Sequence, residues 1–254
     1  MIDCLRLKTL LPSIVELIAF DTVESTNDCA KALINEGVVC KDTLIIAEEQ
    51  TKGRGTRGRS FYSPKGCGIY MSVILRSGKP PEDALPVTPA AAVAVKRAIV
   101  HSFSLTPTIK WVNDILIDGR KVCGILTEVV HCPNTPDFFF VVGIGINITT
   151  ATFPDELNGV AASLSDYVLI MEIEPFVAEI MRQLLMLAKN PKPDEYLQEY
   201  KDDSCVIGKN VTLTYNGESV FGLAKDITRE GHLIVGTSNG EMVLSSGEVS
   251  IALV

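Results

Sequence analysis

The order of apolar and polar positions predicts helices and strands that alternate through the first two hundred residues of the chain. Ser25 can cap a helix whose apolar residues share one face, and Gly37 can end that helix in a left-handed conformation. The apolar run over residues 43–49 is typical of a buried strand. This alternation predicts mixed α and β structure with a central sheet, rather than a helical bundle or a β-sandwich.

The same pattern predicts further elements in this part of the chain. Strands are predicted over residues 68–76, 107–117, 121–130 and 138–148, and helices from Thr88 as N-cap with Pro89 in the first helical position, from Pro175 to about Lys189, and from Asp194. The turn Asp118-Gly119 predicts a hairpin between two of these strands. A Pro-rich segment, residues 78–89, is predicted as a surface loop.

The pattern changes near Val206, where short alternating strands begin. Turns are predicted between them at Asn216-Gly217, Glu230-Gly231, Asn239-Gly240 and Ser246-Gly247. A segment of this length and texture is typical of a small SH3-like β-barrel. The sequence therefore predicts two domains, residues 1–205 and 206–254, with an α+β fold in the first.

Composition limits the classes of function. The 254 residues carry a formal net charge of -8, which argues against a general binder of nucleic acid or of anionic membranes, so no DNA partner is expected. The longest apolar run, residues 138–148, is shorter than the roughly 20 residues of a membrane-spanning helix. Seven cysteines without a Cys-x-x-Cys pair predict reduced thiols and a cytoplasmic protein.

One strongly basic segment stands out against this acidic background. Lys52, Arg54, Arg57 and Arg59 are interleaved with glycines and carry no acid between them. Glycines let a backbone approach a ligand closely, and guanidinium groups offer paired donors to phosphate or carboxylate, so the segment predicts an anionic ligand. It fits neither a Walker loop nor a Rossmann fingerprint. A solvated, flexible basic loop is the alternative interpretation.

The predicted hairpin gathers a second polar group. Lys110, Asn113 and Asp114 end one strand, and Lys121 begins its partner, so pairing would bring the four side chains together. A purely structural ion pair remains open here, because a lysine beside a carboxylate often has no other role.

Other features carry weaker signals. Gly143 and Gly145 leave one face of a strand bare, either for a ligand or for the close packing of a helix. Ser25 and Thr26 are most simply helix caps. The histidines are scattered, so neither a histidine metal cluster nor a histidine-based triad is predicted; they are His101, His131 and His232.

Six segments taken in order resemble the biotin protein ligases: STND, EEQTKGRGTRGRSFYSP, KWVND, GRKVCGILTE, VGIGIN and the closing SGEVS. The resemblance runs from about Ser25 to the end of the chain. It implies a catalytic domain similar to that of class II aminoacyl-tRNA synthetases, followed by an SH3-like domain. Because 24 residues precede Ser25, it also implies the short form without an N-terminal DNA-binding domain.

The chemistry that this resemblance implies has two steps. Biotin and ATP, with Mg²⁺, form biotinyl-5′-AMP and pyrophosphate, and a lysine of a biotin carboxyl carrier protein or domain then takes the biotin. Expected partners are therefore biotin, ATP and the carrier domain of a carboxylase, and a homodimer is possible within the family.

The resemblance also implies roles for individual residues. Lys121, Arg54 and Asp114 are implied as catalytic, with Asp114 as the magnesium ligand. The implied biotin-binding residues are Ser25, Thr26, Asn27, Gln50, Gly53, Arg54, Gly55, Thr56, Lys121 and Gly124. The implied ATP- and adenylate-binding residues are Arg57, Arg59, Phe61, Lys110, Asn113, Lys121 and Asn147.

Three positions depart from the family pattern. Thr56 stands where many members have an arginine, Phe61 where some have a tryptophan, and Ala252 where some have an arginine near the nucleotide. Two alternatives stay open: a lipoate or octanoate ligase or transferase of the same catalytic fold, and a non-catalytic adaptor that binds a small molecule.

Overall fold

The computed structural model describes residues 2–77, 86–133, 136–150, 152–169, 171–189, 192–215, 218–245 and 247–251. Helices in these residues are Cys4–Leu10 (α1), Thr26–Asn35 (α2), Val87–Phe103 (α3), Ile173–Ala188 (α4) and Pro193–Asp202 (α5). Strands are Glu16–Val23 (β1), Thr43–Gln50 (β2), Gly68–Ser77 (β3), Thr108–Lys110 (β4), Asp114–Ile117 (β5), Arg120–His131 (β6), Phe138–Asn147 (β7), Asn210–Tyr215 (β8), Glu218–Ile227 (β9), Leu233–Thr237 (β10), Gly240–Leu244 (β11) and Glu248–Ile251 (β12).

A seven-stranded sheet forms the larger part of the fold, in the order β1-β2-β3-β7-β6-β5-β4. Its β1 and β2 are parallel, whereas the other neighbouring strands are antiparallel. Leu44 and Ile46 pack in the core with α3 and α4, while Ile45 packs on the opposite face with α2. Because β2 is covered on both faces, its sequence is apolar without alternation. The predicted α+β fold with a mixed sheet is confirmed.

A second, five-stranded antiparallel sheet has the order β11-β10-β9-β8-β12. Its inner side buries residues that alternate along the strands: Val211, Leu213, Ala224, Leu233, Val235, Leu244 and Val249. Gly231 and Gly240 have φ angles of 85° and 117°, as the predicted turns at these positions require. The SH3-like prediction is confirmed. Residues 216, 217, 246 and 252, named in the turn and departure predictions, lie outside the described residues.

The hairpin prediction is confirmed at Asp118 and Gly119, which have φ angles of 49° and 76°. The single strand predicted over residues 107–117 is wrong, because it divides into β4 and β5, which pair with each other. The Asn113 N–H donates to the Lys110 carbonyl at 3.2 Å and closes the turn, while the Asn113 side-chain amide donates to the Ile125 carbonyl at 2.5 Å. The polar group of this segment therefore lies on a tight turn.

Helix starts differ slightly from their predicted positions. The α3 helix begins at Val87 with Pro86 as N-cap, so the N-cap predicted at Thr88 is wrong. Pro89 still fits, because the N–H groups of a first turn have no partner within the helix. The helices predicted from Pro175 and Asp194 begin two residues and one residue earlier. Of the predicted Pro-rich loop, residues 78–85 lie outside the described residues.

The two sheets meet at Trp111, a buried residue between β4 and β5. Its indole N–H donates to the Gly231 carbonyl at 3.0 Å, and its ring lies directly beside Gly247. Tyr200 donates from its hydroxyl to the Val112 carbonyl at 2.9 Å. The turn between β4 and β5 is therefore held by α5 and by the small sheet together. No helix in the described residues has the length and apolar character needed to span a membrane.

The α1 helix was not predicted, and one side chain anchors it. Leu7 is fully buried in the main core, whereas Leu5 on the same helix is 81% exposed. We expect Leu7→Ala to lower the free energy of unfolding by about 2–5 kcal/mol, because it leaves a cavity in the core. Urea denaturation measures this change, with Leu5→Ala as the control that stays close to wild type. Equal stabilities of the two variants would contradict the packing of α1.

Candidate active site

A cavity of about 230 Å³ opens at one end of the large sheet, between the start of α2, the segment of residues 51–61 (the basic loop), the β4–β5 turn and the strands β6 and β7. The predicted site residues that line it are Ser25, Thr26, Asn27, Gln50, Arg54, Gly55, Thr56, Arg59, Phe61, Lys110, Asn113, Asp114, Lys121 and Gly124. Gly53, Arg57 and Asn147 lie outside this lining. The structure thus brings most of the predicted site together.

One end of the cavity is neutral and polar. Thr26 donates from its backbone N–H and its hydroxyl to Oε1 of Gln50, at 2.9 and 3.1 Å. The Gln50 amide donates to the Ser63 hydroxyl at 3.1 Å. The Ser72 hydroxyl lies 2.7 Å from Oγ1 of Thr26 and 2.6 Å from Oδ1 of Asn27. Side chains fixed in this way can offer a buried polar ligand a defined set of donors and acceptors.

The helix that carries Thr26 and Asn27 begins where the sequence predicts. Ser25 accepts a hydrogen bond from the Asp28 N–H at 3.4 Å as N-cap of α2, and Gly37 follows the helix with a φ angle of 71°. Ser25, Thr26 and Asn27 are nevertheless all buried, which is unusual for caps and first-turn residues. The same short segment therefore both caps α2 and lines the cavity.

The bare face of β7 is filled by other parts of the protein. A Cβ atom at Gly143 would lie 2.3 Å from Oδ1 of Asn27, so this glycine gives room to α2. A Cβ atom at Gly145 would lie 2.6 Å from the Phe61 ring. The close-packing interpretation is correct for Gly143, whereas Gly145 seats an aromatic side chain of the basic loop in the cavity.

The other end of the cavity carries charge. Nζ of Lys121 lies 2.6 Å from Oδ1 of Asp114, and about a quarter to a third of each side chain is exposed. Asp114 pairs with Gly124 in the hairpin register, and a Cβ atom at Gly124 would lie 2.9 Å from Nζ of Lys121. Because Gly124 has no Cβ, the Lys121 side chain can extend over it and reach Asp114 on β5. Nζ of Lys121 also lies 5.9 Å from the Phe61 ring centroid.

The backbone of Lys121 is fixed by a segment that the sequence did not point to. Its N–H donates to the Val160 carbonyl at 2.8 Å, and its carbonyl accepts from the Ala162 N–H at 2.9 Å. The buried Asn147 amide donates to the carbonyls of Lys121 and Ala162 at 3.4 and 3.1 Å. Asn147 thus supports Lys121 from behind, while Leu157 and Val160 add an apolar wall to the cavity.

The basic loop is partly fastened to the rest of the protein. Nη1 of Arg54 lies 2.7 Å from Asp28 and 3.0 Å from Glu128, whereas Lys52 forms an exposed pair with Glu24. Arg54 is therefore exposed but held by two ion pairs, so its side chain is not that of a freely solvated loop. A Cβ atom at Gly53 would lie 2.4 Å from the Phe61 carbonyl, so Gly53 allows the two ends of the loop to approach closely. Gly53 lies outside the cavity lining, and its biotin-binding role stays a prediction.

The charges around Arg54 stabilise one another. Burial opposes ionisation of Glu128, but hydrogen bonds from Asn27 and Lys31 and the charges of Lys31 and Arg54 outweigh it and lower the pKa of this carboxyl. The pKa of Asp28 is lowered against its burial by Lys31 and Arg54. Burial also opposes the charge of Arg54, but Glu128 and Asp28 raise its pKa. Each of these three shifts favours the charged form of the side chain.

A metal ion would find few protein ligands here. Within the part of the chain that the structure describes, no group of three or more His, Cys, Asp or Glu side chains could hold a metal ion. Asp114 supplies a carboxylate to the cavity lining. Magnesium commonly takes one or two carboxylates together with substrate phosphates, so this donor set fits magnesium that arrives with a nucleotide.

Comparisons with known proteins agree with this geometry. Residues 19–147 match the model of the biotin/lipoate A/B protein ligase family, and residues 206–251 match the biotin protein ligase C terminal domain. The bifunctional ligase/repressor BirA of Bacillus subtilis is 33% identical over 92% of this chain and 74% of its own length. The chain belongs to the biotin protein ligase family.

Other members of the family support this assignment. The biotin--[acetyl-CoA-carboxylase] ligase of Mycobacterium tuberculosis is 31% identical over 89% of this chain and 85% of its own length. Among solved structures, the biotin protein ligase of Aquifex aeolicus in complex with biotin and ATP has a TM-score of 0.77, with 25% identity over 93% of this chain and 98% of that one.

Several site residues of this biotin protein ligase were missed by the sequence analysis. Ser63, Ser72 and Glu128 hold the lining residues in place, and Leu157 and Val160 form part of the wall. Ser72 and Glu128 had a detectable signal, because each is a polar residue within a predicted strand that is otherwise largely apolar. Leu157 and Val160 had none, since they lie in a segment for which the sequence predicts no helix or strand.

Proposed function

We propose that this chain is an ATP-dependent biotin protein ligase. It forms biotinyl-5′-AMP from biotin and MgATP and then transfers biotin to a lysine of a biotin carboxyl carrier protein or domain of a carboxylase. One observation carries the proposal: a single cavity joins a neutral polar end at Thr26 and Gln50 to a charged end at Lys121. These two ends suit the ring head and the carboxylate of one biotin molecule.

In the first step, a carboxylate oxygen of biotin attacks the α-phosphorus of ATP, and the bond to pyrophosphate breaks. Lys121 places its charge between the carboxylate and the α-phosphate. Because Lys121 is fixed through its backbone and by Asp114, little reorganisation is needed when negative charge spreads in the transition state. This step requires no proton transfer and no nucleophile from the protein.

The remaining roles follow the cavity lining. Ser25, Thr26, Asn27 and Gln50 bind the ureido group of biotin by hydrogen bonds. The basic loop closes over the product through Arg54, Gly55 and Thr56, with Arg59 and Phe61 on the side of the adenylate. Lys110 and Asn113, on the β4–β5 turn, face the triphosphate. Arg57 lies outside the lining, and its ATP-binding role stays a prediction.

Magnesium is proposed to bind at Asp114 together with the phosphates of ATP. It would neutralise charge on the departing pyrophosphate. Asp114 already pairs with Lys121, so one carboxylate orients the lysine and meets the ion.

In the second step, the amine of an acceptor lysine attacks the acyl carbon of biotinyl-AMP. The bond to AMP breaks, an amide forms, and the amine loses its proton. The basic loop keeps water from the mixed anhydride until the acceptor arrives.

The alternatives are less favoured. Relatives of this chain are named as biotin ligases, and the C-terminal match is to a biotin protein ligase domain, which argues against lipoate or octanoate. The pairing of Lys121 with Asp114 inside the cavity argues against an adaptor. The proposal places catalysis in residues 1–205 and the SH3-like domain in 206–254, in the cytoplasm, where the seven free thiols are stable. A homodimer and the absence of DNA binding remain predictions.

The purified chain should release pyrophosphate from ATP when biotin is present and should label a carrier domain with biotin. Lipoate in place of biotin should give no more than the background rate, because the ureido group is what the neutral end of the cavity recognises. Pyrophosphate release is measured with each acid in the presence of ATP. Labelling of the carrier domain is measured with and without ATP. Equal rates with both acids, or transfer without ATP, would contradict the proposal.

Lys121→Ala should slow biotin-dependent pyrophosphate release by about 10²-fold or more, because one fixed donor to the transition state is lost. Lys52→Ala is the matched control, since Lys52 is exposed and lies outside the cavity lining. Its rate should stay within about 2-fold of wild type. A rate near wild type for Lys121→Ala would remove this lysine from the mechanism.

Thr56→Arg should slow the dissociation of biotinyl-AMP by about 10-fold, because a guanidinium in the lining adds a charge-assisted hydrogen bond to the phosphate. The dissociation rate of labelled biotinyl-AMP measures this effect directly. Thr51→Arg places the same side chain on the exposed start of the loop and should leave the rate unchanged. Equal dissociation from both variants would show that position 56 does not govern retention.

A further inference from the structure

Glu128 on β6 contacts several residues of this site while lying outside its lining. Its Oε2 accepts from the Asn27 amide at 2.9 Å, and its two oxygens lie 3.0 and 3.1 Å from Nη1 of Arg54. Lys31 adds a contact at 3.1 Å. One carboxylate thus contacts both Asn27 on α2 and Arg54 of the basic loop.

The contacts leave Arg54 oriented and still available. All of its ion pairs in the described residues, to Asp28 and to Glu128, use Nη1. The other guanidinium nitrogens can therefore donate into the cavity that Arg54 lines. A guanidinium held at one corner loses little conformational freedom when a ligand binds to its other donors.

Asp28 is the weaker of the two carboxylates in this role. Its side chain is 49% exposed, whereas that of Glu128 is 22% exposed, so water and salt screen the Asp28 pair more strongly. Asp28 also has no contact with the Asn27 amide among the described hydrogen bonds. Glu128 is therefore the group that fixes Arg54 and Asn27 relative to each other.

We propose that Glu128 is a positioning residue that orients Arg54 toward the phosphates and Asn27 toward the biotin ring. The proposal rests on the proposed ligase function. Glu128 touches neither substrate; it acts on ATP through Arg54 and on biotin through Asn27.

Steady-state kinetics of Glu128→Gln should show a higher KM for both biotin and ATP, by about 10-fold each, with kcat within about 3-fold of wild type. Glu49→Gln is the matched control, because Glu49 is a partly buried strand residue that contacts the Thr22 hydroxyl away from the cavity. Its KM values should equal those of wild type.

A double-mutant cycle separates positioning from a general structural effect. In an Arg54→Ala background, Glu128→Gln should change the KM for ATP by less than about 2-fold, because the guanidinium through which Glu128 acts on the phosphates is absent. In an Asn27→Ala background it should change the KM for biotin equally little. The same 10-fold factor in every background would overturn the proposal. If Glu128→Gln folds poorly, Glu128→Asp, which keeps the charge and shortens its reach, serves in the same cycle.

Hydrogen exchange tests the same idea without turnover. Glu128→Gln should speed amide exchange in the basic loop and at the start of α2, while Glu49→Gln should not. Unchanged exchange there would overturn the positioning role. Faster exchange in a chain whose wild type has no biotin-dependent activity would instead contradict only the proposed function.

Discussion

The contact between Lys121 and Asp114 is the interaction on which the arrangement of the site depends. It exists because Asp118 and Gly119 reverse the chain and bring β5 and β6 into register. Gly124 has no side chain, so the Lys121 side chain can lie over it and reach Asp114. A local turn, a strand register and a missing side chain together place one cation where a carboxylate and a phosphate could meet.

The rest of the cavity differs from this pair in charge. At its far end, hydroxyl and amide groups of Thr26, Gln50 and Ser72 form a neutral hydrogen-bonded network, in which Thr26 and Ser72 are buried. Such a surface favours a ligand head that is polar and uncharged, since an ion would lose its hydration without finding an opposite charge. The charged end favours the opposite kind of group. The separation of these environments within one cavity gives a long ligand a single orientation.

Much of this could be predicted from the sequence where the cause is local. The Ser25 cap, the apolar run of β2 and the turn at Asp118-Gly119 are set by neighbouring residues, and all three are present. Long-range partners could not be predicted in the same way. Glu128 contacts Asn27 across 101 residues of chain, and no local pattern specifies that contact. The edge strand β1 was missed because none of its residues is fully buried, so no regular apolar face marks it in the sequence.

Trp111 connects the two sheets, and its place has a practical consequence. It is the sole tryptophan of the chain, it is nearly fully buried, and its indole bonds to a carbonyl of the small sheet beside the turn that carries Asn113. Tryptophan fluorescence, excited at wavelengths that tyrosine does not absorb, therefore reports on this junction alone. The contact between the two sheets can therefore be followed by the fluorescence of Trp111, and no label has to be attached.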